Sequence, residues 1–274
     1  MRNIFTLIIC LFIFACGPAE PEQQKQVKDF ENQRIVSLVP AVTETLFELG
    51  AGDRIIAVSD SCNYPAQAQN LPKEGGMYNP FIERITALEP TIVFSVPNQS
   101  VKGRLEEQKI MVVEVPNVKN LEELLENINL IAQKTGKDPK GVREKLKRTF
   151  DSSFDSKLPE HAPKVYVEID ENGWTAGGAS FIGFLVRSAG GRNIFPGGEY
   201  FKTSWEDVVK ADPEVIISLN PDSKDFSLRP QGKNLKAVKN KRVFYLEQYE
   251  TDIVSRPGPR AAEGASILRG YLYN

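Results

Sequence analysis

Residues 81–96 read FIERITALEPTIVFSV, and residues 204–219 read SWEDVVKADPEVIISL. Written one above the other at a constant offset of 123 positions, they place Glu83 on Glu206, Pro90 on Pro213 and Ser95 on Ser218. The apolar residues Ile85, Ile92, Val93, Phe94 and Val96 fall on Val208, Val215, Ile216, Ile217 and Leu219. Each stretch predicts a short helix with an acid in its first turn, a proline stop, and a strand apolar enough to be buried on both faces. A fixed internal period marks duplicated architecture. Here it predicts two similar lobes, each carrying one glutamate at an equivalent place.

Working outward, strand and helix patterns alternate. Strands are expected at 34–39, 55–59, 91–95 and 111–115, with helices at 40–49, 81–89, 100–108 and 121–134. Residues 60–80 form a loop rich in Pro, Gly and Asn. Residues 138–158 are highly charged, with apolar Val142, Leu146 and Phe150 at four-residue spacing. They predict one long helix of roughly 30 Å at 1.5 Å per residue. The pattern then restarts: strands at 165–169, 214–219 and 242–247, helices at 180–189, 204–211, 228–239 and 259–272. Alternating β and α segments argue for parallel sheets covered by helices. The fold class is therefore α/β, with two Rossmann-like lobes, an N-terminal one at 34–136 and a C-terminal one at 161–274, joined by a single connecting helix at 137–160. Ligands of such open sheets sit at the carboxyl ends of strands, which points to the cleft between the lobes.

The N-terminus is a processing signal. Arg2 precedes an apolar run at residues 4–15, too short to span a bilayer. The run ends in Ile13-Phe14-Ala15-Cys16-Gly17, the pattern of a bacterial lipobox, in which Cys16 takes the lipid and residues 1–15 are removed. Residues 16–33 are too polar to fold alone and are expected to be a flexible tether. Two or more acyl chains would then anchor the protein at the cell envelope, on the periplasmic or extracellular face.

Composition excludes much. The formal net charge is −2, and no basic block suggests nucleic acid. With Cys10 in the signal and Cys16 lipidated, Cys62 is left alone, so no internal disulfide is expected. A single histidine, His161, cannot build an imidazole-rich metal site. GxGxxG, GxxxxGK[ST] and GxSxG patterns are missing, and no enzymatic activity is expected.

Several segments together resemble the substrate-binding proteins of ABC importers that carry vitamin B12, iron-siderophore complexes and haem. They are Arg34–Pro40 with Thr43-Glu44, Asn63-Tyr64-Pro65, Gly75-Gly76 with Asn79-Pro80, the Glu83 and Glu206 segments, Gly177-Gly178 with Phe181, Gly190–Phe195, and Ser255-Arg256-Pro257-Gly258-Pro259-Arg260. The resemblance spans residues 34–272. It implies two lobes bridged by one rigid helix, and a monomer that hands its cargo to a permease dimer served by ATPase subunits. It further implies that Glu83 and Glu206 each enter an arginine pocket on one permease subunit. On physical grounds alone, both acids could equally serve to complement a helix N-terminus.

The same resemblance places Met77, Tyr78, Trp174, Tyr200, Ser255, Arg256 and Arg260 around the ligand. Cobalamin is large, flat-faced and mostly neutral, and suits aromatic and apolar walls. Met77 or Tyr78 and Tyr200 stand where the vitamin B12 binders favour Trp. A ferric siderophore or haem is the alternative cargo, with Arg256 holding a carboxylate. A lipid-anchored enzyme or a sensory lipoprotein are more distant readings. No metal or resident cofactor is expected.

Overall fold

The computed structural model describes residues 29–154 and 157–273. The signal, Cys16 and most of the tether lie outside the described residues. The N-terminal lobe runs β1 (Ile35–Ser37), α1 (Pro40–Glu48), β2 (Ile55–Val58), α2 (Ala66–Gln69), α3 (Ile82–Ala87), β3 (Ile92–Ser95), α4 (Gln99–Glu106), β4 (Met111–Glu114) and α5 (Leu121–Thr135). Its four strands are all parallel, in the order β2-β1-β3-β4. The connecting helix is α6 (Lys140–Ser153).

The C-terminal lobe follows with β5 (Lys164–Glu168), β6 (Trp174–Ala176), α7 (Phe181–Ser188), β7 (Arg192–Asn193), β8 (Tyr200–Lys202), α8 (Trp205–Ala211), β9 (Val215–Ser218), α9 (Lys236–Lys239), β10 (Val243–Tyr245), α10 (Gln248–Ser255) and α11 (Ala261–Tyr273). Its sheet order is β10-β9-β5-β6-β8, with β7 also on β5. Strands β5, β7, β9 and β10 are parallel, whereas β6 and β8 are antiparallel additions.

The repeat read from the sequence is present in atomic detail. Strands β1-β3-β4 of one lobe correspond to β5-β9-β10 of the other. The Thr91 amide donates to Arg34 O at 3.0 Å, and its counterpart Glu214 donates to Lys164 O at 2.8 Å. Val115 N–Ser95 O and Leu246 N–Ser218 O, both 2.9 Å, repeat the match on the other side. Even the turn before each proline agrees. Glu89 and Asp212 both take left-handed backbone, at φ 46° and 48°, which ends each helix and lets Pro90 and Pro213 start the strand.

Side chains alternate through these strands as the two-residue period requires. Ile35, Ile92, Phe94, Val165, Val167, Val215 and Ile217 enter one core that continues across both lobes and under α6. Val36 and Val93 enter a second core beneath α3 and α4, and Tyr166 and Ile216 a third beneath α8. Burial pushes the Tyr166 phenol well above its ordinary pKa.

Four expectations need correction. The connecting helix has 14 residues, roughly 21 Å at 1.5 Å per residue. It stops where Phe154 turns extended and packs on Phe150 at 5.3 Å. The helix expected at 228–239 shrinks to α9, because Pro230, and Gln231 at φ 58°, break it into short 3-10 turns. The β6–β8 pair and α10 were not anticipated. The tether does not extend to residue 33: Gln33 Nε2 donates to Lys134 O at 2.8 Å, Arg54 reaches the Phe30 carbonyl, and the Phe30 ring covers Gly136 at the end of α5.

Gly177-Gly178 packs backbone against backbone. A Cβ on Gly183, in the first turn of α7, would stand 2.2 Å from Gly177 O, and one on Gly177 would stand 2.5 Å from Gly197 O. Gly183→Ala is therefore expected to lower stability by about 1–3 kcal/mol through overpacking, read as an earlier urea midpoint at unchanged slope.

Candidate functional site

The two sheets present their carboxyl ends to one another. This follows from two cross-lobe bridges at opposite margins. The loop after β2 meets α10, which follows β10: Asn63 Nδ2 donates to Asp252 Oδ2 at 2.7 Å. The loop after β4 meets the loop after β7: Lys119 Nζ lies 2.7 Å from Glu199 Oε1. Between these margins lie the ends of β1, β3, β5 and β9, and the cleft they enclose is the candidate ligand site.

On the N-terminal wall, residues 75–80 form a closed loop. Gly75 at φ 85° turns it, Gly75 pairs with Pro80, and the Phe81 amide returns to Glu74 O at 3.0 Å. A side chain at Gly75 would meet Asn79 O at 2.9 Å, so only glycine fits the turn. Buried Glu74 holds the base of the loop through Arg84 at 2.9 Å. Asn98, the cap of α4, donates to Tyr78 O at 3.3 Å. Met77 and Tyr78 form the tip of this braced loop, and Tyr78 is 63% exposed.

On the C-terminal wall, β6 and β8 pair Trp174 with Lys202 and Ala176 with Tyr200. Alternation therefore puts Trp174, Tyr200 and Lys202 on one face. Lys202 Nζ lies 5.9 Å from the Trp174 ring centre, and both aromatic rings are more than one-third exposed. Thr175 and Phe201 face inward, with Phe201 edge-on to Phe195. The Tyr200 hydroxyl end lies against the start of α7. Burial there pushes its pKa up to about 12, opposed by the Ile182 amide and the Ser180 hydroxyl. Tyr200 is thus a neutral phenol at any physiological pH.

The two arginines are both engaged by protein groups. Arg256 is 8% exposed. It donates to Glu44 at 3.0 Å, Asn63 Oδ1 at 2.8 Å and Ser61 O at 3.0 Å, and pairs with Asp252 at 3.0 Å. Arg260 grips Glu44 with Nε at 2.8 Å and Nη2 at 2.6 Å, and stacks on Tyr64 at 3.9 Å. Burial alone would lower the Arg260 pKa, but the Glu44 hydrogen bond and charge hold it above the ordinary value. Both guanidinium groups are engaged by protein across the lobe boundary, while Ser255 is exposed beside them.

Glu83 and Glu206 occupy the second position of α3 and α8, and both are exposed. They differ in company. Glu83 pairs with Arg104, whereas among the described residues no side chain partners the Glu206 carboxylate. Cys62 is buried and hydrogen-bonded with Thr43 and Ser59, each at 3.2 Å. His161 is exposed. Among the described residues no cluster of His, Cys, Asp and Glu could hold a metal ion, and no helix is long and apolar enough to cross a membrane.

Sequence reasoning missed Glu44, Asn63, Asp252 and the Lys119–Glu199 bridge. Glu44 did leave a signal, as an acid in the middle of the PAVTETLFE helix between apolar Pro40–Val42 and Leu46-Phe47.

Comparison with known proteins places this architecture. The chain is 29% identical over 238 residues to a vitamin B12-binding protein of Vibrio parahaemolyticus, covering 83% of this chain and 85% of that one. It is 27% identical over 271 residues to the uncharacterized ABC transporter substrate-binding lipoprotein YvrC of Bacillus subtilis, covering 89% and 81%. Among solved structures, the periplasmic heme-binding protein BhuT in complex with two hemes superposes with a TM-score of 0.78 at 20% identity, over 88% of this chain and 97% of that one. Residues 35–250, from the first strand into α10, match the periplasmic binding protein family, and the chain belongs to that family.

Proposed function

We propose that this protein is the cargo-binding subunit of an ABC importer, that its cargo is a corrinoid, and that it releases the cargo to a permease dimer without making or breaking a bond. The observation that carries the cargo reading is the pairing of Arg256 and Arg260 with Glu44 and Asp252. Two cations otherwise suited to the carboxylates of haem or an anionic siderophore are neutralised by protein. In this reading the cargo meets Met77, Tyr78, Trp174 and Tyr200, surfaces suited to a large and nearly neutral ring, with Lys202 beside Trp174 on the same face. The similarity to a vitamin B12-binding protein points the same way.

In this reading Glu83 and Glu206 dock the loaded protein on the permease, one from each lobe. Lipid on Cys16 keeps it at the membrane that holds the importer. Both roles rest on the sequence pattern, and the equivalent placement of the two acids on α3 and α8 supports the docking role.

Titration calorimetry with cyanocobalamin, haem and a ferric siderophore tests the cargo. Cyanocobalamin is expected to bind at micromolar Kd or tighter, and the other two much more weakly. Tight haem binding without cobalamin binding would overturn the corrinoid reading. Trp174→Ala should weaken cyanocobalamin about 10- to 30-fold, the loss of one aromatic anchor worth roughly 1.4–2 kcal/mol, with little change in melting temperature because the ring is partly exposed.

A further inference from the structure

We infer that Glu44 is a positioning residue: with Arg256, Arg260, Asp252 and Asn63 it forms a charge-balanced lock that fixes the opening of the cleft. The inference rests on the binding-cleft reading above but not on which cargo fills it.

The lock is built across the lobe boundary. Glu44, Ser61 and Asn63 belong to the N-terminal lobe, and Asp252, Arg256 and Arg260 to the C-terminal lobe. Six hydrogen bonds cross between them: Arg256 to Glu44, Asn63 and Ser61, Arg260 twice to Glu44, and Asn63 to Asp252. The group contains two carboxylates and two guanidinium ions. Asn63 uses both ends of its amide, accepting from Arg256 and donating to Asp252. A buried network of this kind contributes little net stability compared with apolar packing, but each bond demands one geometry. Arg260 grips Glu44 with two nitrogens, a fork that permits only a narrow range of lobe rotation.

The rest of the boundary explains why such a lock is needed. At the opposite margin the lobes are joined by Lys119–Glu199, a pair whose side chains are both more than one-third exposed, and such pairs are weak. Along α6 the lobes share the apolar core that continues beneath that helix. Beside the lock, a crevice of about 320 Å³ opens between α1, α6 and α11, lined by Tyr64, Lys145, Thr149 and Glu263 among others. Packing therefore does not fill this side of the junction, and the charged network sets the angle between the walls that carry Tyr78 and Trp174. A fixed angle lowers the cost of closing on cargo, because the bound geometry exists beforehand.

The test reads the lobe separation without cargo. In the full chain, spin labels carried by ketone-bearing unnatural residues at exposed Gln108 and Lys239 report the distance between lobes. Wild type should give one narrow distance distribution. Glu44→Gln should broaden it or add a second distance, while far-ultraviolet circular dichroism stays native, and cyanocobalamin affinity should fall at least tenfold. Glu44→Asp, which keeps the charge, should recover part of the narrow population. If Glu44→Gln fails to fold, the charge-balanced double variant Glu44→Gln, Arg260→Gln replaces it, with the same broadening expected. A distribution as narrow as wild type in a folded variant would overturn the inference. Failure of wild type to bind cyanocobalamin would count against the corrinoid reading alone, since the distances are measured on the empty protein.

Discussion

Arg229→Met should lower the stability of this protein by about 3–5 kcal/mol, the usual consequence of stripping one partner from a buried ion pair. Glu168 closes β5 and its side chain is 1% exposed. Arg229 grips it at 2.6 and 3.0 Å, and also bonds Ser223 at 3.0 Å, which itself donates to Glu168 at 2.5 Å. The guanidinium lies 4.0 Å from the ring centre of fully buried Phe226. Removing it leaves a desolvated carboxylate facing an apolar wall, with two serine hydroxyls as its remaining donors. Pairing the change with Glu168→Met should recover most of the loss, because two apolar side chains of similar size need no partner. Urea unfolding of the two single variants and the double variant measures the coupling directly. Cargo binding should weaken in Arg229→Met even below its unfolding midpoint, since the pair ties the segment after β9 to the cleft end of β5.

The parts of this fold that were legible in the sequence are those fixed by local chemistry. The repeated segment specified its own helix, proline stop and strand, so both copies were placed to within a residue or two. Helix α5 was equally plain, with an apolar stripe, an Asn120 cap that accepts the Glu123 amide, and Gly136 at its end. What stayed hidden depended on partners distant in the chain. Strands β6 and β8 are three residues each and are separated by α7, and neither announces itself without the other. Arg256 and Arg260 were legible as cations beside a cleft. That they pair with Glu44, more than 200 residues away, is a fact of tertiary structure that no local pattern announces. The exposed aromatics could be read more directly. A Trp or Tyr left partly bare on a braced loop or a strand end costs apolar exposure, which a ligand can relieve.

Replacing both Glu83 and Glu206 with alanine should reduce permease association by a factor of 1,000 or more. Truncating one member of a desolvated interfacial charge pair costs about 2–5 kcal/mol, and the docking reading involves two such pairs. The single variants should not be equal. Glu206 offers a carboxylate that no described side chain engages, so all of its interaction is available to a partner. Glu83 already holds Arg104, with the two side chains 81% and 52% exposed. An ion pair so exposed is worth about 0–1 kcal/mol, and it must be exchanged for the permease contact on docking. Glu206→Ala is therefore expected to cost more than Glu83→Ala, and Arg104→Ala should tighten association by up to about fivefold by freeing Glu83. All of these effects should shrink as salt rises, because charge complementarity acts chiefly on encounter. Surface plasmon resonance against permease in nanodiscs, at two ionic strengths, reads each difference. Cyanocobalamin affinity should be unchanged in every one of these variants, since Glu83 pairs with Arg104 and Glu206 with no described side chain, and neither contacts a residue assigned to the cargo. A double variant that docks as well as wild type would leave both glutamates with no role beyond complementing the positive ends of their helices.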